Sequence, residues 1–146
     1  MSQLLALYNS GGAQQFSAAV CQIAPYFSTI EPTFVELRGG RAEVTVPFRR
    51  EITNHIGTVH AIALCNAAEL VAGTMTDASI PAGARWIPKG MSVQYLAKAK
   101  TDVRAVADGS QVRWDQAGDH DVPVEIFDAG GTKVFSARIT MNIKTA

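Results

Sequence analysis

The chain has 146 residues, 47% of them hydrophobic and 18% charged, and its thirteen acidic side chains balance thirteen basic ones. That length suits one domain, residues 1–146, and that composition belongs to a globular chain rather than a disordered one. A formal net charge of zero leaves no basic footprint for nucleic acid and does little to oppose self-association.

The N-terminal run Met1-Ser2-Gln3-Leu4-Leu5 lacks a basic region followed by a long apolar stretch, so no signal peptide is expected. Phe16, Val20, Ile23 and Phe27 recur at a three-to-four-residue spacing, which predicts helix within the first thirty residues, ended or bent by Pro25. Phe34–Leu37 and Ala42–Val46 flank Arg38-Gly39-Gly40-Arg41 and read as a β-hairpin with glycines at its turn. Residues 58–76, rich in alanine and leucine and free of glycine until Gly73, predict a buried helix with Thr58 as its N-cap. His60, Asn66 and Glu69 make that run too polar for a membrane span. Residues 77–85 read as a loop. Strand-like runs follow at Met91–Ala97, Val103–Ala107, Val112–Trp114, Val122–Phe127 and Val134–Ile143, punctuated by Gly109, Gly118 and Gly130-Gly131.

One central helix followed by consecutive strands argues α+β with an antiparallel meander, not a parallel βαβ fold. A helix without a polar face needs apolar cover on most sides. One curved antiparallel sheet wrapped around a long central α-helix, closed by a dimer partner, supplies it; this is the hotdog fold.

The segment Asn54-His55-Ile56-Gly57-Thr58-Val59-His60-Ala61, with Glu69 nine residues after His60, resembles the active-site stretch of hotdog acyl-CoA thioesterases of the phenylacetate-degradation type. Those families place an asparagine, a glycine and a histidine before the central helix and an Asp or Glu within it. Met91–Ala99 is similar to the strand that follows there. The resemblance implies hydrolysis of an acyl thioester by carboxylate-activated water, with Glu69, Asn54 and His60 as catalytic residues. It also implies composite sites in a dimer or dimer of dimers. The family usually carries His-Gly-Gly where this chain has His60-Ala61-Ile62. Glycines let substrate approach the backbone closely, so Ile62 is expected to crowd the entrance formed with Gly57 and Ala61.

Physical chemistry gives a parallel reading. A carboxylate amid alanine and leucine needs a partner or a function. Burial disfavours its charged form, which suits a general base near neutral pH. At ~100° per residue, His60 and Glu69 fall on opposite sides of their helix, so one chain does not easily bring them together, whereas two antiparallel helices in a dimer could. The dipole at the helix N-terminus favours developing negative charge, and the Ala61 amide is the candidate oxyanion donor. Asn54 is positioned to orient water or the carbonyl.

Coenzyme A enters as part of the substrate, with Arg85, Lys89 and Lys98 as candidate phosphate contacts and Lys100 beside them. No other cofactor is expected. Trp86 reads either as a pocket wall or as core. His55 reads as a loop residue, and Gly118-Asp119-His120-Asp121 as a turn rather than a metal site. Cys21 and Cys65 read as reduced, buried thiols of a soluble cytoplasmic protein. The main alternative is a non-catalytic hotdog dimer that binds an acyl or CoA-like ligand, favoured by Ile62. A hydratase of the same fold ranks below it, because Thr53-Asn54 stands where that branch carries its aspartate and histidine.

Overall fold

The computed structural model describes residues 2–146. In chain order come α1 (Gln3–Ile23), a 3-10 turn (Pro25–Ile30), β1 (Thr33–Arg38) and β2 (Arg41–Val46), then a short turn (Arg50–Ile52). The rest of the chain is α2 (Ala61–Ser79), β3 (Arg85–Tyr95), β4 (Val103–Asp108), β5 (Gly118–Asp128) and β6 (Lys133–Lys144). All six strands form one antiparallel sheet in the order β1-β2-β4-β5-β6-β3.

α2 packs against every one of those strands. Six strands laid flat span roughly 25 Å, whereas a helix with its side chains is about 10 Å wide. Contact with all six therefore requires the sheet to curl around α2. Small residues permit it: Ala67, Ala68 and Ala72 are fully buried, with Leu64, Leu70, Val71 and Met75 filling the space between them. From the sheet, Val44, Val124, Ile126, Ile139 and Met141 close the same core.

α1 is a second layer, fastened at defined points. The Ser2 hydroxyl caps it by accepting from the Leu5 amide at 3.0 Å. Gly12, at φ 80° and ψ 174°, breaks the helical path, a conformation that glycine alone adopts without strain. Beyond that kink Phe16 is fully buried and meets Tyr8 and Phe34 edge-on, with ring centroids 5.5 and 4.8 Å away. The Ser17 hydroxyl donates to the Ala13 carbonyl at 2.7 Å and accepts from the Phe34 amide at 2.8 Å, tying α1 to β1.

Several predicted boundaries move. α2 begins at Ala61 with His60 as its N-cap, not at Thr58, whose hydroxyl is engaged by Asn54 Nδ2 at 2.7 Å. It runs to Ser79, into the stretch expected to be loop. β3 starts at Arg85 rather than Met91, carrying Pro88 and Gly90 inside it. An edge strand tolerates a missing donor, and the register slips between those two residues. Val112–Trp114 is not a strand; Trp114 instead folds back, donating from Nε1 to the Gly109 carbonyl at 3.1 Å. The Gly118–Asp121 cluster opens β5 rather than forming a turn. Cys21 and Cys65 are only partly buried.

Phe16 is the anchor between α1 and the sheet. Phe16→Ala should cost about 3–5 kcal/mol in urea unfolding, the usual loss for a large aromatic that leaves a cavity. A loss below 1 kcal/mol would mean that α1 is not cooperatively folded with the rest.

Candidate active site

The loop that enters α2 is held by its own hydrogen bonds. Asn54 Oδ1 accepts from the Ile56 and Thr58 amides, each at 3.1 Å, while Asn54 Nδ2 reaches the Thr58 hydroxyl. Gly57 sits at the loop tip with φ 80°, a turn position that favours glycine. The Val59 amide donates to the Ala99 carbonyl and the His60 amide to the Ile52 carbonyl, both at 2.8 Å. Asn54 therefore spends its acceptor on the loop, and the structure supports a shaping role for it more directly than contact with water or substrate. His55 and Gly57 are exposed.

His60 folds over the helix start, with Nδ1 accepting from the Ile62 amide at 3.0 Å. The Ala61 amide, next to it, meets no acceptor among the described residues. At this end of α2 the free N–H and the helix dipole favour an anion together.

Two depressions flank the 3-10 turn Pro25–Ile30 where it crosses α2. One, of about 210 Å³, is lined by Tyr26, Thr29, Glu51, Thr53, His60 and Asn66. Asn66 was not singled out from the sequence. It is 7% exposed, donates from Nδ2 to the Thr29 hydroxyl at 3.2 Å, and leaves Oδ1 without a partner. Its signal was available, an amide-bearing side chain inside an alanine run. The other depression is a cavity of about 250 Å³ between α1, α2 and β3, and Glu69 is the one ionisable residue in its lining.

Glu69 is exposed, which corrects the expectation of a buried carboxylate. α2 is sheathed by the sheet and α1 on most sides. Ile62 and Glu69, seven residues apart and hence on one face, fall on the stripe that neither covers; Ile62 is 54% exposed. No cation pairs with Glu69 among the described residues. His60 and Glu69 lie about 13 Å apart along the axis, at 1.5 Å per residue, and open into different depressions. One chain does not bring them together.

The candidate phosphate-binding cations differ in their surroundings. Lys89 pairs with Asp119 at 3.0 Å; hydrogen bonds from Asn142 and Lys89 hold the Asp119 carboxyl below the usual carboxylate range. Arg85 stands opposite Lys144 in the β3–β6 register, and Lys98 is exposed beyond β3. Trp86 lines the apolar cavity and donates from Nε1 to Asp77 at 3.0 Å. His120 faces the Gln116 carbonyl at 2.8 Å. Along the α2 side of β3, Tyr95 sets its hydroxyl 3.8 Å from the Cys65 sulfur, a contact that pushes the Tyr95 hydroxyl above its ordinary range. Partial burial pushes the Cys21 thiol up.

A six-stranded antiparallel sheet wrapped around one long helix is the hotdog fold. The chain belongs to the DUF4442 family, a domain of unknown function, whose model matches residues 12–143. It is 63% identical to a structural-genomics target of known crystal structure, which it matches at a TM-score of 0.91 over 99% of this chain and 97% of that one. A Pseudomonas aeruginosa protein of unknown function, described as a probable thioesterase, is 20% identical with a TM-score of 0.80, over 89% of this chain and 93% of that one. A Haemophilus influenzae thioesterase is 13% identical at a TM-score of 0.75, over 86% and 88% of the two chains. No curated protein matches the chain. Among the described residues no helix is long and apolar enough to cross a membrane.

Removing the cap with His60→Ala should lower stability by about 1 kcal/mol, whereas His60→Asn, a residue that caps well, should restore most of it. Thermal melts of the two variants check this. Equal losses in both would show that the histidine ring serves something other than the cap.

Proposed function

We propose that the protein hydrolyses an acyl-CoA or related acyl thioester, with Glu69 as the general base in a site shared between two chains. The observation that supports this most is the placement of Glu69: an unpaired carboxylate at the rim of an apolar cavity, on the uncovered stripe of α2. In this reading Glu69 takes a proton from water, and the resulting oxygen nucleophile attacks the thioester carbonyl. The oxyanion forms against the Ala61 amide of a second chain, at the N-terminus of its α2. Collapse of that intermediate breaks the C–S bond, and the thiolate leaves to be protonated, giving a carboxylic acid and a free thiol. His60 holds the helix entrance in shape, and Asn54 and Gly57 shape the loop before it. Arg85 and Lys98 are free to meet coenzyme A phosphates, while Lys89 must first leave Asp119. The reading places the protein in the cytoplasm, where coenzyme A thioesters are made.

The second chain has a surface to join. β3 is an edge strand of eleven residues, and Ile87, Met91, Tyr95 and Leu96 on or beside it are exposed, as is Ile62 on α2. A long edge with apolar side chains is a template for pairing. Two copies paired there would lay their α2 stripes against each other. Sedimentation at micromolar concentration should show a dimer or tetramer; a stable monomer that still hydrolyses thioesters would overturn the shared site.

Glu69→Gln should lower kcat by ~10²–10⁴-fold, the usual worth of general-base assistance. Its stability should stay within about 0.5 kcal/mol of the parent, because the side chain is exposed and unpaired. Full hydrolysis by the Gln variant would remove Glu69 from the role. The alternative, a dimer that binds an acyl or CoA-like ligand without cleaving it, is favoured by Ile62 standing at the helix entrance. Ile62→Gly should widen the range of acyl groups accepted; an unchanged substrate profile would show that this side chain does not gate the site.

A further inference from the structure

The cavity beside Glu69 has the features of a binding site for one kind of chemical group. Its walls come from three elements: Ile23 and Ala24 at the end of α1, Phe27 in the turn after it, and Trp86 and Pro88 in β3, with α2 as the floor. Two polar side chains in that lining are accounted for. The Thr74 hydroxyl donates to the Leu70 carbonyl at 2.8 Å, so its proton is spent within the helix and it offers a ligand no donor. Trp86 turns its N–H to Asp77 and leaves ring carbons for the cavity. Gly73 is what lets that ring sit so near the helix, since a Cβ there would lie 3.0 Å from it. Glu69 remains, and it is exposed at the rim.

From this we infer that the cavity holds the acyl tail of the thioester, with the carbonyl at the rim beside Glu69, and that it selects tails of medium length. The inference rests on the thioesterase reading and deepens it by naming the substrate class. Apolar walls without a free donor, with the one carboxylate at the rim, disfavour a nucleotide or a sugar and accept hydrocarbon. Volume sets the length. An apolar cavity of about 150 Å³ holds benzene, so about 250 Å³ holds a tail of roughly six to ten carbons. Because α1 supplies a wall, this part of the site lies within one chain, unlike the oxyanion contact. Ala24 marks the end of α1, where a larger side chain would enter the space directly.

Two measurements on the full-length protein test it. The first is kcat/KM across a panel of straight-chain acyl-CoA esters, from acetyl to palmitoyl. The value should rise by up to about fourfold per added methylene, the equivalent of ~0.8 kcal/mol, and level or fall beyond ten carbons. Ala24→Phe should remove most of the gain for octanoyl over acetyl, so that the ratio of their kcat/KM values falls toward one. The second needs no turnover: in a Trp114→Phe background, octanoic acid should shift Trp86 emission, and Ala24→Phe should abolish the shift. Hydrolysis whose length profile is indifferent to Ala24→Phe, with no octanoate response from Trp86, would overturn the acyl site while leaving the hydrolase reading intact. Octanoate binding that Ala24→Phe blocks, without hydrolysis of any ester, would support the acyl site and remove the hydrolase reading instead.

Discussion

Everything in this fold depends on burying α2. A helix whose side chains are apolar on nearly every side has no stable surface position. The sheet curls because it must reach around that helix, and it can come close because alanines form much of the contact. α1 then covers what the sheet does not, held by Phe16 and by the paired hydrogen bonds of Ser17. The stripe bearing Ile62 and Glu69 is what neither layer covers. The proposed chemistry sits where the burial of α2 is left incomplete.

That constraint was legible in the sequence, and so was the broad architecture that follows from it. The hairpin around Gly39-Gly40, the buried helix and four of the five later strand runs appear in the structure, with several boundaries moved. Local competition decided what was not legible. Thr58 has the chemistry of an N-cap, but Asn54 engages its hydroxyl first, and the role passes to His60, which is not an obvious cap. Pro88 and Gly90 hid the first half of β3, because both argue against strand unless the strand is known to be an edge. Val112–Trp114 carries strand-forming residues, yet burying the Trp114 indole beside Gly109 outweighs pairing.

The site was legible to a lesser degree. The spacing from Asn54 to Glu69 marked the right helix entrance, but no sequence pattern could tell that Glu69 would be exposed. Helical periodicity gives the angle between residues, not which sector of the helix its neighbours leave bare. The cavity was less visible still, since it is made by α1, α2 and β3, segments far apart in the chain. Trp86 was the one hint, and it read equally well as core. Asn66 counted in the sequence only as polarity within the helix, because a single polar residue in an apolar helix has many ordinary uses; its unsatisfied oxygen in a depression beside His60 gives it weight.

The central claim is that the base and the oxyanion donor come from different chains, and a mixing experiment tests it most directly. Ala61→Pro removes the amide hydrogen at the first helical position, where proline is tolerated. His60 before it already has the extended backbone, φ −63° and ψ 137°, that a following proline requires. Each of Ala61→Pro and Glu69→Gln should be nearly inactive alone. After the two are unfolded, mixed in equal amounts and refolded, half of the dimers should be hybrids with one intact site, restoring about a quarter of the parent activity. Hydrolysis that stays at the level of the separate variants would contradict the account and place base and oxyanion donor within a single chain.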